Sequence, residues 1–525
     1  MTSTGILSTE HKGKLFITAF PENVAFYDPV SHGHTLVLTA LLDNTVVTVT
    51  VESVVVWSRV LHAAAMRTVS LVASVELQRS ALSQSSVVIT SSKDIIVLSN
   101  STRLSSTQTL VLQPVTGLGS LYYTPDLTPY GSSGNELEFK DFHGARGKIV
   151  IINSNINNVV KVSFPNQALE QEELEPFQVF QLNISDFQPV KIEAEQKVAV
   201  LLTHPCTKAS FCTCKMMVIQ LRPTNTWGTT FLLPDAFDNK TLTVTSDQSF
   251  TLKVQSQSNT KSPPPNSFSH FIHDLQSQHL NSSSNSSVML IQPGHVTELV
   301  PDTLFASCLL TFNTPSKALV IVPDSKKNEV HLGEDPIGSG ADWKLIDSLS
   351  YSWAEIDLSV VKNHVIWHPS TKIAVYIKDG EKWSEAVSLS TEPASQGCLL
   401  EQEFYIVDQS GTWAESISHC QDENAVLVSI NSEDILQRLS KKLSNPTNEQ
   451  DVWVGLRRRL VNGEWYWLNK QTMNITKWEK GQPGDSQEKF CASMSLSSPK
   501  AFSWKSRSCC DTMKPVCYKK EYFPL

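Results

Sequence analysis

Two short aromatic runs near the end of the chain decide the fold of its last quarter. Residues 452–456 read Val-Trp-Val-Gly-Leu, and residues 464–467 read Glu-Trp-Tyr-Trp directly after the Asn-Gly pair at 462–463. Apolar and aromatic runs of this length beside an Asn-Gly turn are typical of β-strands. The sequence therefore predicts a strand at each position.

Two helices are predicted ahead of these strands. Thr412 and Glu415 form a capping box, with Trp413 on the apolar face of the helix that follows. A second helix is expected to begin near Ser432, because apolar residues then recur at every fourth position over 435–443. Helices followed by strands and a long loop indicate an α+β domain.

The cysteines indicate an extracellular framework. Six of the ten lie in the final quarter of the chain, and an even number in a short module is typical of disulfides formed in an oxidising compartment. Further upstream, Cys212 and Cys214 lack the paired spacing that zinc needs, so no metal site is predicted. We expect a disulfide between Cys206 and Cys214, and the sequence assigns no partner to Cys212 or Cys308.

Residues 398–525 resemble a C-type lectin-like domain. The motifs that carry the resemblance stand in that family's order and spacing: Phe404-Tyr405, Trp413-Ala414-Glu415, Cys420, residues 453–456, Trp465, Trp467, Trp478, residues 481–483, Cys491, Trp504, Cys509 and residues 515–517. The resemblance implies two disulfides, Cys420 with Cys517 and Cys491 with Cys509.

Two cysteines of this region are surplus to that scheme. We expect Cys398 and Cys510 to pair with each other. Two alternatives stay open: one of them links to a second chain in a disulfide-linked oligomer, or Cys510 replaces Cys509 as the partner of Cys491.

The resemblance also implies a calcium and sugar site whose ligands differ here. Sugar-binding members hold the ion with Glu-Pro-Asn or Gln-Pro-Asp, a Glu two residues before the next cysteine, and Trp-Asn-Asp. In this chain residues 482–484 read Gln-Pro-Gly, and residues 504–506 read Trp-Lys-Ser. Lys489 stands two residues before Cys491, and Glu488 is shifted by one position.

These changes argue against calcium. The ion prefers six to eight hard oxygen ligands, whereas Gly484 offers no side chain and two lysines bring ammonium groups. Two unit charges 4 Å apart repel by about 4 kcal/mol at an effective dielectric of 20. We expect no cofactor and no calcium-dependent sugar binding, although Asp485 could replace one ligand in part. The degenerate ligand site comprises Gln482, Asp485, Glu488, Lys489, Lys505 and Ser506.

From residue 14 to about residue 382 the sequence is dominated by short β-type runs, which predict a mostly β region of tandem β-sandwich-like units. A lysine precedes an apolar run at four places: Lys93, Lys197, Lys317 and Lys372. The first two intervals, 104 and 120 residues, match a β-sandwich in size. We predict a first part at 1–225 and a second at 226–390, with a flexible insertion at 255–287 because it is rich in Pro, Ser and Asn.

Residues 13 to about 382 resemble the N-terminal region of IgGFc-binding proteins, a mucin-associated secreted family. The matching segments follow in that family's order: residues 13–20, the turn at 43–45, Cys206 to Cys214, residues 220–223, residues 227–231, residues 301–302, Cys308 and residues 372–376. The family is named for binding the Fc part of immunoglobulin G, and the resemblance assigns no residue to that contact.

Composition narrows the classes of function. The net charge is −9, and Lys and Arg are scattered, so no nucleic-acid partner is expected. No apolar stretch of about 18 residues predicts a membrane span. No esterase, zincin or nucleotide-binding motif indicates an enzyme. No secretory signal is visible in the first ten residues, and because the disulfides favour export we expect an incomplete N-terminus.

Six Asn-x-Ser/Thr sequences are candidate glycosylation sites: Asn100, Asn183, Asn239, Asn281, Asn285 and Asn474. Together these features predict a secreted recognition or adhesion protein, associated with mucus, matrix or immunity, that binds protein or glycoprotein ligands. One alternative is a functional carbohydrate-binding lectin. A second is an immunoglobulin Fc-binding protein, and mucin is a further candidate partner.

Overall fold

The computed structural model describes residues 10–24, 32–42, 44–62, 65–103, 106–127, 147–165, 168–184, 189–210, 213–237, 240–254, 268–273, 275, 277–292, 295–312, 316–333, 335–337, 340–346, 349–358, 365–380, 382–392, 398, 403–422, 425–443, 451–460, 462–469, 473, 475–484, 488–496 and 502–519. The chain divides into two compact units, Met1–Cys398 and Leu399–Tyr522. Cys398 is therefore the last residue of the first unit. The sequence had suggested instead that it begins the C-terminal domain.

The N-terminal unit is almost entirely β, as predicted. Its first repeat supplies strands β1 (Gly13–Thr18), β2 (His32–Ala40), β3 (Thr45–Val51), β4 (Val54–Leu61), β5 (Met66–Leu71), β6 (Leu82–Ser83), β7 (Val87–Arg103) and β8 (Ser106–Val111). The described strands of the first sheet follow the order β4-β3-β7-β2-β5, and β1 and β8 also pair with the long β7. β6 belongs to the next sheet.

The second repeat has the same plan around an even longer strand. It supplies β9 (Gly119–Tyr123), β10 (Gly147–Asn153), β11 (Asn158–Ser163), β12 (Glu170–Leu174), β13 (Val179–Ile184), β14 (Lys191–Ser210) and β15 (Thr213–Gln220). The second sheet follows the order β12-β11-β14-β10-β13-β6, with β9 and β15 also on β14.

A third repeat follows and is centred on β20. It supplies β16 (Gly228–Leu232), β17 (Thr241–Ser246), β18 (Leu252–Val254), β19 (Ser269–Ile272), β20 (His279–Gln292) and β21 (His295–Glu298). The third sheet follows the order β16-β20-β17-β19, with β18 and β21 also on β20.

The last part of the N-terminal unit forms two smaller sheets. Its strands are β22 (Cys308–Leu310), β23 (Lys317–Pro323), β24 (His331–Leu332), β25 (Asp335–Pro336), β26 (Lys344–Ile346), β27 (Tyr351–Asp357), β28 (Val365–Trp367), β29 (Ala374–Asp379), β30 (Lys382–Glu385) and β31 (Val387–Ser390). The fourth sheet has the order β25-β24-β28-β22-β31, and the fifth has the order β26-β27-β23-β29-β30.

Successive sheets share hydrophobic cores. Val88 of the first sheet belongs to the same core as Val150 of the second, whereas Ile149, the neighbour of Val150 on β10, belongs to a core with Ile291 of the third. The third sheet shares a further core with the fifth. All of β10 is buried, which explains the apolar run at residues 149–152, because a strand covered on both faces has no solvent side to alternate toward.

The prediction of a flexible insertion at 255–287 is wrong for the residues of this range that the structure describes. Residues 269–272 form β19 and residues 279–287 form most of β20. The serines of β20 satisfy their hydroxyls locally, since Ser282 and Ser286 lie 2.8 Å apart between Oγ atoms and both are buried. Ser and Asn composition concealed this strand, and residues 255–267 lie outside the described residues.

The repeat anchored on four lysines is correct in only two places. Lys93 lies in β7 and Lys197 in β14, the central strands of the first two repeats. Lys317 begins β23, and Lys372 precedes β29, so neither marks the third central strand. That strand is β20, in which no lysine occurs. The boundary predicted at 225/226 falls within a single-turn helix.

The C-terminal unit is α+β, also as predicted. Its elements are β32 (Glu403–Ile406), α1 (Trp413–Asp422), β33 (Val426–Leu427), α2 (Glu433–Leu443), β34 (Asp451–Arg458), β35 (Trp465–Trp467), β36 (Cys491–Ser495), β37 (Trp504–Arg507) and β38 (Lys514–Lys519). The capping box forms, since Thr412 N donates to Glu415 Oε2 at 2.8 Å and Glu415 N donates to Thr412 Oγ1 at 3.3 Å.

A close contact between a glycine and a proline recurs in the first three repeats. It joins three pairs: Gly13 with Pro114, Gly119 with Pro223, and Gly228 with Pro301. A Cβ added to each glycine would lie only 2.4 or 2.5 Å from the proline Cβ, so no larger residue fits without movement. Each proline immediately precedes a single-turn helix: Val115–Gly117, Thr224–Thr226 and Asp302–Leu304.

We expect Gly119→Ala to destabilise the N-terminal unit by about 1–3 kcal/mol, the usual cost of adding a methyl group to a packed site. Urea unfolding followed by tryptophan fluorescence measures this change. Gly33→Ala is the control, because its added Cβ would lie 3.6 Å from Thr102 Cβ, an ordinary contact. Equal stability losses in the two variants would contradict the steric explanation.

Candidate functional site

The predicted ligand site lies between the segment that follows β35 and strand β37. Trp504 N donates to Lys477 O at 2.8 Å, and Glu479 N donates to Trp504 O at 2.9 Å, so the segment is fastened to β37. The peptide bond between Gln482 and Pro483 is cis. Asp485 lies outside the described residues.

The one amide ligand that the sequence retains is already engaged. Gln482 Oε1 accepts hydrogen bonds from Ser506 N at 3.0 Å and from Ser506 Oγ at 2.7 Å. The Ser506 hydroxyl also accepts a bond from Gly484 N at 3.3 Å. The structure thus brings these three predicted positions together, but it directs the Gln482 oxygen to a buried serine of the protein itself.

Lys505 occupies the centre of an ionic cluster beside this bond. Its Nζ atom lies 3.2 Å from both carboxylate oxygens of Asp451 and 3.6 Å from Glu479 Oε2. Arg507 Nη2 donates to Asp451 Oδ2 at 2.6 Å. Lys505 and Arg507 therefore pair with the carboxylates of Asp451 and Glu479, and neither carboxylate was anticipated from the sequence.

The other two predicted positions lie on the approach to β36. Glu488 is exposed and Lys489 is half-buried. Phe490 O, next to Lys489, accepts a hydrogen bond from Arg458 N at 2.8 Å, which fixes the end of this segment to β34. In the part of the chain that the structure describes, no group of three or more His, Cys, Asp or Glu side chains is placed to hold a metal ion.

Tryptophans pack beneath the site. The ring centroids of Trp467 and Trp504 lie 5.2 Å apart, and those of Trp478 and Trp504 lie 5.9 Å apart, both in edge-to-face geometry. Trp467 and Trp504 are fully buried. These rings form the core under the loop, and edge-to-face pairs of this kind contribute beyond their buried area.

The three consecutive arginines at 457–459 also pack against this domain. The Arg457 guanidinium lies 5.3 Å from the Trp413 ring centroid, and that of Arg459 lies 5.2 Å from the Tyr466 centroid. Arg458 Nε donates to Gly463 O at 3.0 Å. The Arg459 contact stabilises the β34–β35 hairpin and the Arg457 contact joins β34 to α1; neither was expected from the sequence.

The cysteine pattern partly departs from expectation. The structure pairs Cys420 with Cys517 and Cys491 with Cys509. The expected bond between Cys398 and Cys510 is wrong, because Cys398 pairs with Cys308 across 90 residues of sequence. Cys510 is an exposed free thiol. The side chains of Cys206, Cys212 and Cys214 lie outside the described residues.

The candidate glycosylation sites differ in exposure. Asn183 and Asn285 are exposed, whereas Asn100 and Asn281 are half-buried in central strands. Asn100 Nδ2 lies 3.5 Å from Thr35 Oγ1 across the first sheet. Asn239 and Asn474 lie outside the described residues.

Two family models match the chain. The model of the IgGFc binding protein family matches residues 107–377, slightly more than half of the chain. The chain belongs to this family. The C-type lectin domain model matches residues 409–519, which contain the ligand site just described. Both models describe families of binding domains.

Each of two relatives is similar to one part of this chain only. Human IgGFc-binding protein is 33% identical over 169 residues, which is 32% of this chain and 3% of that protein. C-type lectin lectoxin-Phi1 of Philodryas olfersii is 30% identical over 109 residues, 20% of this chain and 69% of that protein. The chain thus spans a very small part of the human relative's length.

Among solved structures, human lithostathine is 26% identical, with a TM-score of 0.20, over 22% of this chain and 90% of that one. No helix within the described residues is long and apolar enough to cross a bilayer.

We expect peptide mapping of the unreduced protein to recover Cys308 linked to Cys398, and to find Cys510 modified by a thiol reagent under native conditions. Cys510 should react because it is exposed and has no disulfide partner. Cys510→Ser is the control and should lose this modification. A peptide that links Cys398 to Cys510 would contradict the pairing, and a Cys510–Cys510 peptide would identify a disulfide-linked dimer.

Proposed function

We propose that the chain is a secreted, non-enzymatic recognition protein whose C-type lectin domain binds a protein or glycoprotein ligand without calcium. The observation that carries this proposal is the Lys505 ammonium, 3.2 Å from both oxygens of Asp451. An ammonium among carboxylates supplies the positive charge that a bound cation would otherwise supply. A calcium ion close to it would meet repulsion instead of six to eight oxygen ligands.

The remaining ligand positions support the same proposal. Gln482 Oε1 already accepts two hydrogen bonds from Ser506, and calcium would have to compete with both. Gly484 adds no oxygen from a side chain. The disulfides of the lectin domain favour an oxidising, extracellular location, because such bonds are rare in reducing compartments.

Calorimetric titration of the full chain with calcium tests the proposal directly. We expect no binding heat, and we expect any hits on a glycan array to persist when a chelator is added. A saturable calcium isotherm in the micromolar range would refute the proposal. Array binding that the chelator abolishes would favour the alternative, a carbohydrate-binding lectin that depends on calcium.

A variant with restored ligands provides the matched positive control. Gly484→Asp, Lys489→Glu, Lys505→Asn and Ser506→Asp together rebuild the ligand pattern that the family resemblance implies, with Gln-Pro-Asp at 482–484. This fourfold variant is expected to gain a calcium isotherm and stability in calcium, because a ligand that binds only the folded state stabilises it. If the variant folds but binds no calcium, the absence of calcium binding has a cause other than these four residues.

The family match favours a second proposal for the N-terminal unit, which is that it binds the Fc part of immunoglobulin G. The match covers 107–377, from β8, the last strand of the first repeat, to β29 of the fifth sheet. Surface plasmon resonance with the immobilised full chain, using Fc, Fab and purified mucin as analytes, tests it. Binding of Fc without binding of Fab supports the proposal. Binding of mucin alone would assign a mucus partner instead.

A further inference from the structure

An open cavity of about 100 Å³ with a mixed polar and apolar lining lies in the N-terminal unit, where strands β8, β15, β21 and β30 come together. The first three of these are the last strands of the three repeats, and β30 belongs to the fifth sheet. Arg222, Gln220 and Glu385 line this cavity, together with two histidines, His11 and His295. It lies far along the chain from the lectin site and does not depend on what that domain binds.

Arg222 is the central group of this cavity. Its side chain is only 9% exposed, and Nη2 donates to the Glu385 carboxylate. The backbone N–H of Arg222 donates to Glu298 Oε2 at 3.3 Å. No described residue accepts a hydrogen bond from the buried Nη1 atom. A buried charged donor without a partner is costly, so the guanidinium has one unmet requirement for an acceptor.

Gln220 presents a second unmet donor to the same cavity. Its Oε1 atom accepts a hydrogen bond from Gln113 N at 3.2 Å, which fixes the orientation of the amide. Its Nε2 atom is buried, and none of the described groups accepts from it. Two unmet donors in one cavity require a guest that brings an acceptor oxygen.

The charges around the cavity favour a neutral guest. Burial lowers the pKa of His11 and of His295 to about 3, so both imidazoles are uncharged at neutral pH. One guanidinium then faces two carboxyl groups, Glu298 and Glu385, and burial raises the pKa of both. Because Glu385 already pairs with the guanidinium, an added anion would find no unpaired positive charge there. The Glu385 carboxylate can still accept hydrogen bonds, since an ionised carboxylate offers about four acceptor positions.

We propose that this cavity binds a carboxamide group, whose carbonyl oxygen accepts from Arg222 Nη1 and Gln220 Nε2 while its NH₂ group donates to Glu385. The size agrees, because a cavity of about 150 Å³ holds benzene and a carboxamide is smaller. The group comes either from a free small amide or from an Asn or Gln side chain of a protein partner.

Ligand-observed NMR with the full chain tests the proposal, with acetamide as the neutral probe and acetate as its anionic match. We expect saturation transfer to acetamide and none to acetate. Capped glutamine, N-acetyl-glutamine N-methylamide, separates the two sources. Transfer to its side chain indicates a partner's side chain, and transfer to acetamide alone indicates a free amide. No transfer to acetamide, or equal transfer to acetate, would overturn the proposal.

Three variants locate the binding. Arg222→Lys keeps the positive charge but removes the Nη1 donor. Gln220→Glu keeps an oxygen that accepts from Gln113 N but replaces the Nε2 donor with a second oxygen. Each should weaken acetamide binding about tenfold, the effect of one hydrogen bond to a charged or buried group. Thr107→Val changes an exposed residue of β8 that does not line the cavity and should bind as the parent does.

Thermal unfolding of each variant checks that it is folded. Gln220→Glu keeps the test decisive if Arg222→Lys does not fold. Unchanged acetamide binding in a folded Arg222→Lys or Gln220→Glu variant shows that acetamide binds elsewhere and that the cavity holds only water, which overturns the proposal.

Discussion

The N-terminal unit depends on the close approach between a glycine at the start of each repeat and a proline at its end. The two backbones come so near that a methyl group would overlap the proline ring. The proline then begins a single-turn helix, and the next repeat starts directly after it. One short-range steric contact therefore stands between each of the first three repeats and the part of the chain that follows it.

That spacing explains the internal packing of the unit. Sheets placed one behind another bury both faces of their central members, so β10 is apolar at successive positions and does not alternate. The same arrangement gathers residues from the ends of the repeats. Gln113 and Arg222 each stand immediately before a repeat proline, at Pro114 and Pro223, and both line the cavity.

Much of the lectin domain could be predicted from sequence, because its helix cap and its strand runs are local signals. The Thr412–Glu415 box depends on residues three positions apart and forms as expected. The long-range features could not be predicted. Nothing near Lys505 in sequence indicates that Asp451, on another strand, would neutralise it. The pairing of Cys398 with Cys308 joins distant segments in the same way.

In the N-terminal region, amino-acid composition predicted a loop at a segment that is a partly buried strand. The Ser and Asn residues of 281–287 suggest a loop, yet the segment forms a strand in which serine hydroxyls bond to one another and to backbone carbonyls. The glycine and proline pairs were visible in the sequence at intervals of about 106 and 109 residues between Gly13, Gly119 and Gly228. The glycine positions locate the third repeat correctly, whereas the lysines do not. The glycines are required because no side chain fits beside the proline, but a lysine before a strand meets no such requirement.

The disulfide between Cys308 and Cys398 lies within the first unit and gives the last residue of that unit a second covalent connection to it. Cys398 is the last residue of the first unit, and the lectin domain follows it directly. A protease that cut the backbone at 393–397 would therefore leave the lectin domain attached through sulfur. Release would need both cleavage and reduction, so the domain would remain with its carrier in an oxidising fluid that contains proteases and would be shed once a reductant was present.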